Sequence, residues 1–247
     1  IPHGKVQFVI TVGEESGLYG ARALDTKHLD AKFGYAVDSN GNVGDIAVAA
    51  PTQAIIEIEF IGKSAHAGVN PEDGISAIQV ASKAVSLMSL GRIDHETTAN
   101  IGSFRGGKAT NIVCDYVILE AEARSIVDEK MHKQVEKMKQ ACADAASHYG
   151  AQYKFDSEVI YPGYSYDEQS PVVQLATKAL AKLGKKGKTF HSGGGSDANI
   201  FNGMGIPTVN LAVGYQEIHT TNEYIAVNDL TATSEFIVAI IEEAARS

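Results

Sequence analysis

Glu14 and Glu15 are adjacent carboxylates that follow a short apolar run, Val6 to Val12, in a chain of 247 residues. Two carboxylates side by side repel, so without a cation one of them tends to hold a proton. A metal ion resolves the conflict, because one glutamate becomes a ligand and its neighbour is left to act as a base. Two solvated glutamates on a loop are the alternative. Asp38 ends a second apolar run, in Asp38-Ser39-Asn40-Gly41, residue types that also make an ordinary turn. His219 follows a third run, Pro207 to Val213, in the stretch Gln216-Glu217-Ile218-His219-Thr220-Thr221-Asn222-Glu223. A lone loop histidine is commonly a solvated group. What joins the four is position: each follows a run that reads as a strand, at the end of the sheet where open α/β proteins collect functional groups. Carboxylate and imidazole donors together suit zinc.

The elements that must hold them read as follows. Val6 to Val12 has the nearly continuous apolar character of a strand buried on both faces of a parallel sheet. Leu18 to Leu24 reads as a helix and Phe33 to Val37 as a second strand. From Pro51 the pattern changes: Ile56-Glu57-Ile58-Glu59-Phe60 alternates strictly, as in a sheet with one wet face. A helical stripe over Gly74 to Leu90 follows, then strands at Thr97 to Phe104 and Asn111 to Arg124, a helix over Asp128 to Tyr149 and a strand at Gln152 to Tyr161. This β-α-β-β-α-β order is the split or ferredoxin-like arrangement. Beyond Pro162 the α/β character returns, with a helix at Pro171 to Leu183, a strand at Lys188 to His191, a glycine turn at Gly193-Gly194-Gly195 into another helix, the strand Pro207 to Val213 and a terminal helix from Thr231 to Arg246. The expected fold is therefore α/β, a mostly parallel sheet with helices on both faces built from residues 1–50 and 162–247. A ferredoxin-like domain, 51–161, is inserted into it.

Composition narrows the function. Thirty acidic residues against 21 basic ones give a formal net charge of −9, which argues against nucleic acid because phosphate binding needs a basic face. No stretch approaches the roughly 18 apolar residues of a membrane span, and no secretory leader precedes the first strand pattern. Cys114 and Cys142 form neither a disulfide framework nor a CxxC zinc site. Cys142 continues the helical stripe of Met131, Val135 and Met138, the place of a packed core thiol. A cytoplasmic protein is expected.

The motifs Val12-Gly13-Glu14-Glu15-Ser16-Gly17-Leu18, Asp38, Gly62-Lys63-Ser64-Ala65-His66-Ala67-Gly68 and the late His219 stand in the order seen in the M20 zinc peptidases. The chain resembles that family over essentially its whole length, the peptidase T-like branch most of all. The resemblance implies an aminopeptidase that hydrolyses short peptides with two zinc ions. Glu14 would be the general base, Glu15 and His219 would hold one zinc, and Asp38 the other. His66 resembles the histidine of the inserted domain that steadies the oxyanion in a neighbouring subunit, which implies a homodimer. Asn111 and Arg124 match substrate-contacting positions, and Gly194 and Ser196 the wall beside the scissile group. On the residues alone, Arg124 shares its strand face with Glu120 and Glu122 and is equally a cross-strand salt-bridge partner, and Asn111 merely ends a glycine turn.

The family's His-x-Asp motif and its bridging aspartate lie upstream of the Glu-Glu pair, where this chain has thirteen residues and His3-Gly4-Lys5 does not match. The expectation is that an N-terminal segment is missing, and that this polypeptide alone binds zinc weakly and hydrolyses nothing. Three alternatives stay open. One is a related hydrolase of dipeptides, C-terminal residues or N-acyl amino acids. Another is a nucleotide-binding module built on Gly193 to Ala198, which lacks the acidic strand end such a site requires. The third is a non-catalytic dimerising module.

Overall fold

The computed structural model describes Ile1 and residues 3–246. These fall into two compact units, Ile1–Pro51 with Tyr161–Ser247, and Thr52–Ile160. In chain order the elements are α1 (Tyr19–Ala23), β1 (Gly34–Ser39), β2 (Ile46–Ala50), β3 (Thr52–Ile61), α2 (Ala77–Leu87), β4 (Gly91–Arg92), β5 (Thr97–Gly106), β6 (Tyr116–Ser125), α3 (Asp128–Tyr149), β7 (Gln152–Tyr161), β8 (Tyr164–Ser165), α4 (Pro171–Lys182), β9 (Thr189–His191), α5 (Asp197–Gly203), β10 (Thr208–Ala212) and α6 (Val227–Ala244). No helix among the described residues is long and apolar enough to cross a membrane.

The first unit is built on a mixed sheet in the order β1-β10-β2-β8, with β9 also pairing to β2. β1 runs parallel to β10 and β9 parallel to β2, while β2 is antiparallel to both β10 and β8. β2 is the central strand and went unread in the sequence, although Ile46-Ala47-Val48-Ala49-Ala50 is buried at all five positions. Its alternation explains its chemistry. Ile46 and Val48 join Val209 and Leu211 under α4 and α6, against Val173, Leu180 and Phe236. Ala47 and Ala49 point the other way, and Ala50 packs with Tyr164 and Ala198 of α5. Small residues there let the covering layer approach closely.

The strand expected at Val6 to Val12 does not form. No ladder partner holds it, and its apolar side chains face outward, with Phe8 88% and Ile10 79% exposed. A run buried on both faces needs strands beside it and helices above and below. The described residues supply neither at this place. Side-chain bonds hold the segment instead: Gln7 donates to the carbonyl of His28 at 2.7 Å and accepts from the Asp30 N–H at 3.0 Å.

The second unit is a sheet in the order β4-β5-β6-β3-β7, the ferredoxin-like order with a short extra edge strand. β3 pairs antiparallel with β6 along its whole length, and β6 with β5. Ala54, Ile56, Ile58 and Phe60 of β3 pack with Val117 and Leu119 of β6 on Val80 and Ala84 of α2 and on Met131, Met138 and Cys142 of α3. The intervening residues carry charge pairs, Arg105 with Glu120 at 2.7 Å and Lys154 with Glu59 at 3.2 Å. Cys142 is fully buried, and loss of water pushes its thiol up to about 12. Asn111 to Asp115 lie outside β6, which begins at Tyr116.

Candidate metal and catalytic centre

In the first unit the chain turns sharply after residue 12. Leu18 N–H donates to the Glu14 carbonyl at 2.9 Å and Gly20 N–H to that of Val12 at 2.8 Å. A side chain at residue 20 would meet the Val12 backbone at 2.5 Å, so only glycine lets α1 start this close. The turn leaves Glu14 half-buried and Glu15 exposed. Asp38 lies near the carboxyl end of β1, and the residues after β10 lead to His219, whose backbone is left-handed at φ 61°.

Two of the four side chains touch, and the other two feel their charge. His219 Nδ1 lies 3.1 Å from Glu15 Oε2, and the His219 N–H donates to Glu223 at 2.9 Å. The Glu14 carboxyl is pushed up to about 7, first by its burial, then by the negative charges of Asp38, Glu15 and Asp197, with His219 opposing. Asp38 is raised to about 6 by crowding that strips water from its carboxyl, although the residue keeps an open side, and then by Glu15 and Asp197. Tyr215 is pushed up to about 12 by burial and by the same acids. Burial leads each of these shifts, and the neighbouring acids add to it beyond what the imidazole offsets.

Asp197, next to Ser196 of the expected wall, bears on the same carboxyls, since its charge raises both Glu14 and Asp38. It opens α5, and one of its oxygens accepts from the Thr11 hydroxyl. The other, Oδ1, is buried with no hydrogen-bond partner among the described residues. An orphaned carboxylate oxygen beside two proton-holding acids is what a cation would relieve. The donor set of carboxylate oxygens and an imidazole matches zinc in type.

The remaining expected residues are placed as follows. Ser196 caps α5: its hydroxyl accepts from Ala198 N–H at 3.3 Å and its own N–H donates to Asn199 at 3.0 Å. Gly194 N–H donates to the Ser192 hydroxyl at 3.1 Å. At Gly195 a Cβ would sit 2.3 Å from the Tyr161 ring, which accounts for the glycine turn. In the second unit His66 is exposed, and its Nδ1 accepts the Gly68 N–H at 3.2 Å. That bond favours the tautomer with the proton on Nε2, a donor facing outward. Asn111 is tied to the same loop, its carbonyl accepting from Ala67 N–H at 2.9 Å. Arg124 forms a two-pronged pair with Glu122, two residues back on its own strand, at 3.0 and 2.9 Å.

Another acid–imidazole group stands in the second unit, with ligand atoms of Asp94, His95 and Glu96 within 4.8 Å of one another. The Lys130 ammonium lies 3.1 Å from Asp94 and also contacts Glu96. The Glu96 N–H, before Lys130, holds Asp94 well below the usual carboxylate range. This group already has its counter-charge.

Residues 53–150 match the family model for the M20 peptidase dimerisation domain. The chain belongs to the M20 peptidases. It is 59% identical over 246 residues to the protein YqjE of Bacillus subtilis (strain 168), covering 100% of this chain and 66% of that one. The crystal structure of aminopeptidase PepT from Bacillus cereus ATCC 10987 is similar at a TM-score of 0.94 and 57% identity, over 99% of this chain and 66% of that one. A tripeptidase from Staphylococcus aureus subsp. aureus Mu50 is similar at 0.96 and 49% identity, over 100% of this chain and 66% of that one. The chain thus spans 66% of the length of these relatives.

Proposed function

We propose that the protein carrying this chain is a zinc-dependent exopeptidase of short peptides, with tripeptides the preferred substrates. Glu15 and His219 hold one zinc ion, Asp38 holds the other, and Glu14 is the general base. The observation that carries the reading is the 3.1 Å approach of His219 to Glu15, with the Glu14 and Asp38 carboxyls raised first by burial and then by the charges of neighbouring acids. Zinc supplies a Lewis acid for the peptide carbonyl and lowers the pKa of the attacking water. Glu14, half-buried beside the assigned ligand Glu15, is the group assigned to take the proton from that water and return it to the leaving amine. Three protein ligands for two ions is half of what catalytic zinc sites use. The chain alone is therefore expected to bind zinc weakly.

The other roles follow the resemblance. His66 donates from Nε2 to the developing oxyanion in a partner copy. Asn111 and Arg124 contact substrate, Arg124 sharing its guanidinium with Glu122. Gly194 and Ser196 line the scissile group through their backbone. Pairing between copies is supported by the dimerisation-domain match and by β5, of which the two-residue β4 covers only the Thr98–Ala99 end, leaving the rest of that edge for a second copy. The buried free cysteines suit a reducing compartment, hence the cytoplasm.

The names of the relatives favour peptides with a free amino terminus over N-acyl amino acids. A panel of tripeptides, dipeptides and N-acyl amino acids tests this on the zinc-loaded full-length protein. Tripeptides are expected to exceed N-acyl amino acids about 100-fold or more in kcat/KM. Preference for the N-acyl compounds would move the protein to the other branch of these hydrolases.

A further inference from the structure

β1 and β10 pair in register at Ala36 with Asn210 and again at Ser39 with Ala212, so one extra residue of β1 is accommodated between the two matches. Such a bulge breaks ladder bonds and turns a side chain away from the direction a regular strand would give it. The displaced residue pair includes Asp38. Its backbone is not left unpaired. The Asp38 N–H donates to Asn210 Oδ1 at 2.9 Å, and Asn210 Nδ2 donates to the Asp38 carbonyl at 2.8 Å. Asn210 is 5% exposed, inside a strand that is buried at all five positions. A buried amide in an apolar strand is costly unless both its ends are bonded, and here both ends go to one residue. The amide orientation is fixed by its partners, since an N–H requires an acceptor and a carbonyl a donor.

We propose that Asn210 is the positioning residue for Asp38, a carboxamide clamp that holds the bulge of β1 so that the Asp38 carboxylate is presented to the metal. This rests on Asp38 being a metal ligand. Loss of a group that orients a ligand typically lowers metal affinity by about 10–100-fold. Asn210→Leu keeps the branched shape, with a larger volume, and removes both bonds. Val209→Ala is the control, because Val209 is buried on the neighbouring position of the same strand, in the core under α4 and α6, and makes no bond to Asp38.

The experiment measures zinc affinity by competition with a chromophoric chelator, and the visible spectrum of the cobalt-substituted protein. It uses the full-length protein, well below the melting temperature of every variant. The expected result is that Asn210→Leu weakens zinc by about 10–100-fold and alters the cobalt bands, while Val209→Ala does neither. Should Asn210→Leu fail to fold, Asn210→Ser takes its place, with a smaller loss in the same direction. Wild-type affinity and bands in the Asn210 variant, with Asp38→Asn still losing zinc, would overturn the proposal and leave the metal site standing. Equal losses in the Val209 and Asn210 variants would overturn it as mere destabilisation. Undiminished zinc binding by Asp38→Asn would overturn both the ligand assignment and the clamp.

Discussion

His219 Nδ1 stands 3.1 Å from Glu15 Oε2, and both side chains are largely exposed, at 68% and 71%. An exposed pair of this kind is worth about 0–1 kcal/mol, too little to explain a histidine held at φ 61°. In the proposed site the two are ligands of one ion. His219→Ala should therefore shift the melting temperature of the metal-free protein by less than about 4 °C while removing most of the stabilisation that zinc gives. Thermal scans with and without zinc check this, and equal zinc stabilisation in both proteins would refute the assignment.

The raised carboxylates give a pH signature. Glu14 at about 7 and Asp38 at about 6 lie above their ordinary values of 4.5 and 3.8, so the folded protein holds protons that the unfolded chain releases. Their stability contribution is complete below the ordinary values and is lost as pH rises through 6 to 7. Zinc competes with the same protons and should bind more tightly over that window. Melting of the metal-free protein from about pH 5 to 8 should show a decline that the double variant Glu14→Gln, Asp38→Asn loses. An identical slope in the double variant would count against the cluster.

His66 is exposed and bonded only to its own loop backbone among the described side-chain contacts. Its removal should leave folding intact. If its Nε2–H supports the oxyanion, His66→Ala lowers kcat by about 10²–10³ with KM little changed. Unchanged turnover in steady-state assays of the variant would exclude that role.

Gly195 offers a structural test. An alanine Cβ would lie 2.3 Å from the ring of Tyr161, a residue 6% exposed. Overpacking of this kind costs about 1–3 kcal/mol, so Gly195→Ala should unfold at lower denaturant, and chemical denaturation gives the answer. Combining it with Tyr161→Ala should recover part of that loss.

Much of this was legible in the residues, for identifiable reasons. The inserted domain could be read because β3 alternates strictly and α3 carries an unbroken stripe from Met131 to Cys142. β2 escaped because three of its five residues are alanine, which signals no strand on its own. Val6 to Val12 misled because an apolar run states a preference for burial and cannot state whether neighbouring strands exist to satisfy it. The approach of His219 to Glu15 fits their expected common place, although the run before Glu15 forms no strand. Asp197 and Asn210 were not legible. One follows a glycine turn and the other is a single amide in an apolar strand, and their significance lies in contacts 172 or more residues away in sequence.

The most direct test of the account is the activity of Glu14→Gln in the full-length protein, measured on a tripeptide after chelator treatment and again after zinc is restored. Chelation should abolish turnover in the wild type and zinc should restore it. Glu14→Gln, with zinc content equal to that of the wild type, should stay about 10²–10⁴-fold slower. Wild-type turnover in Glu14→Gln, or full activity without metal, would contradict a zinc-dependent hydrolysis in which Glu14 is the base.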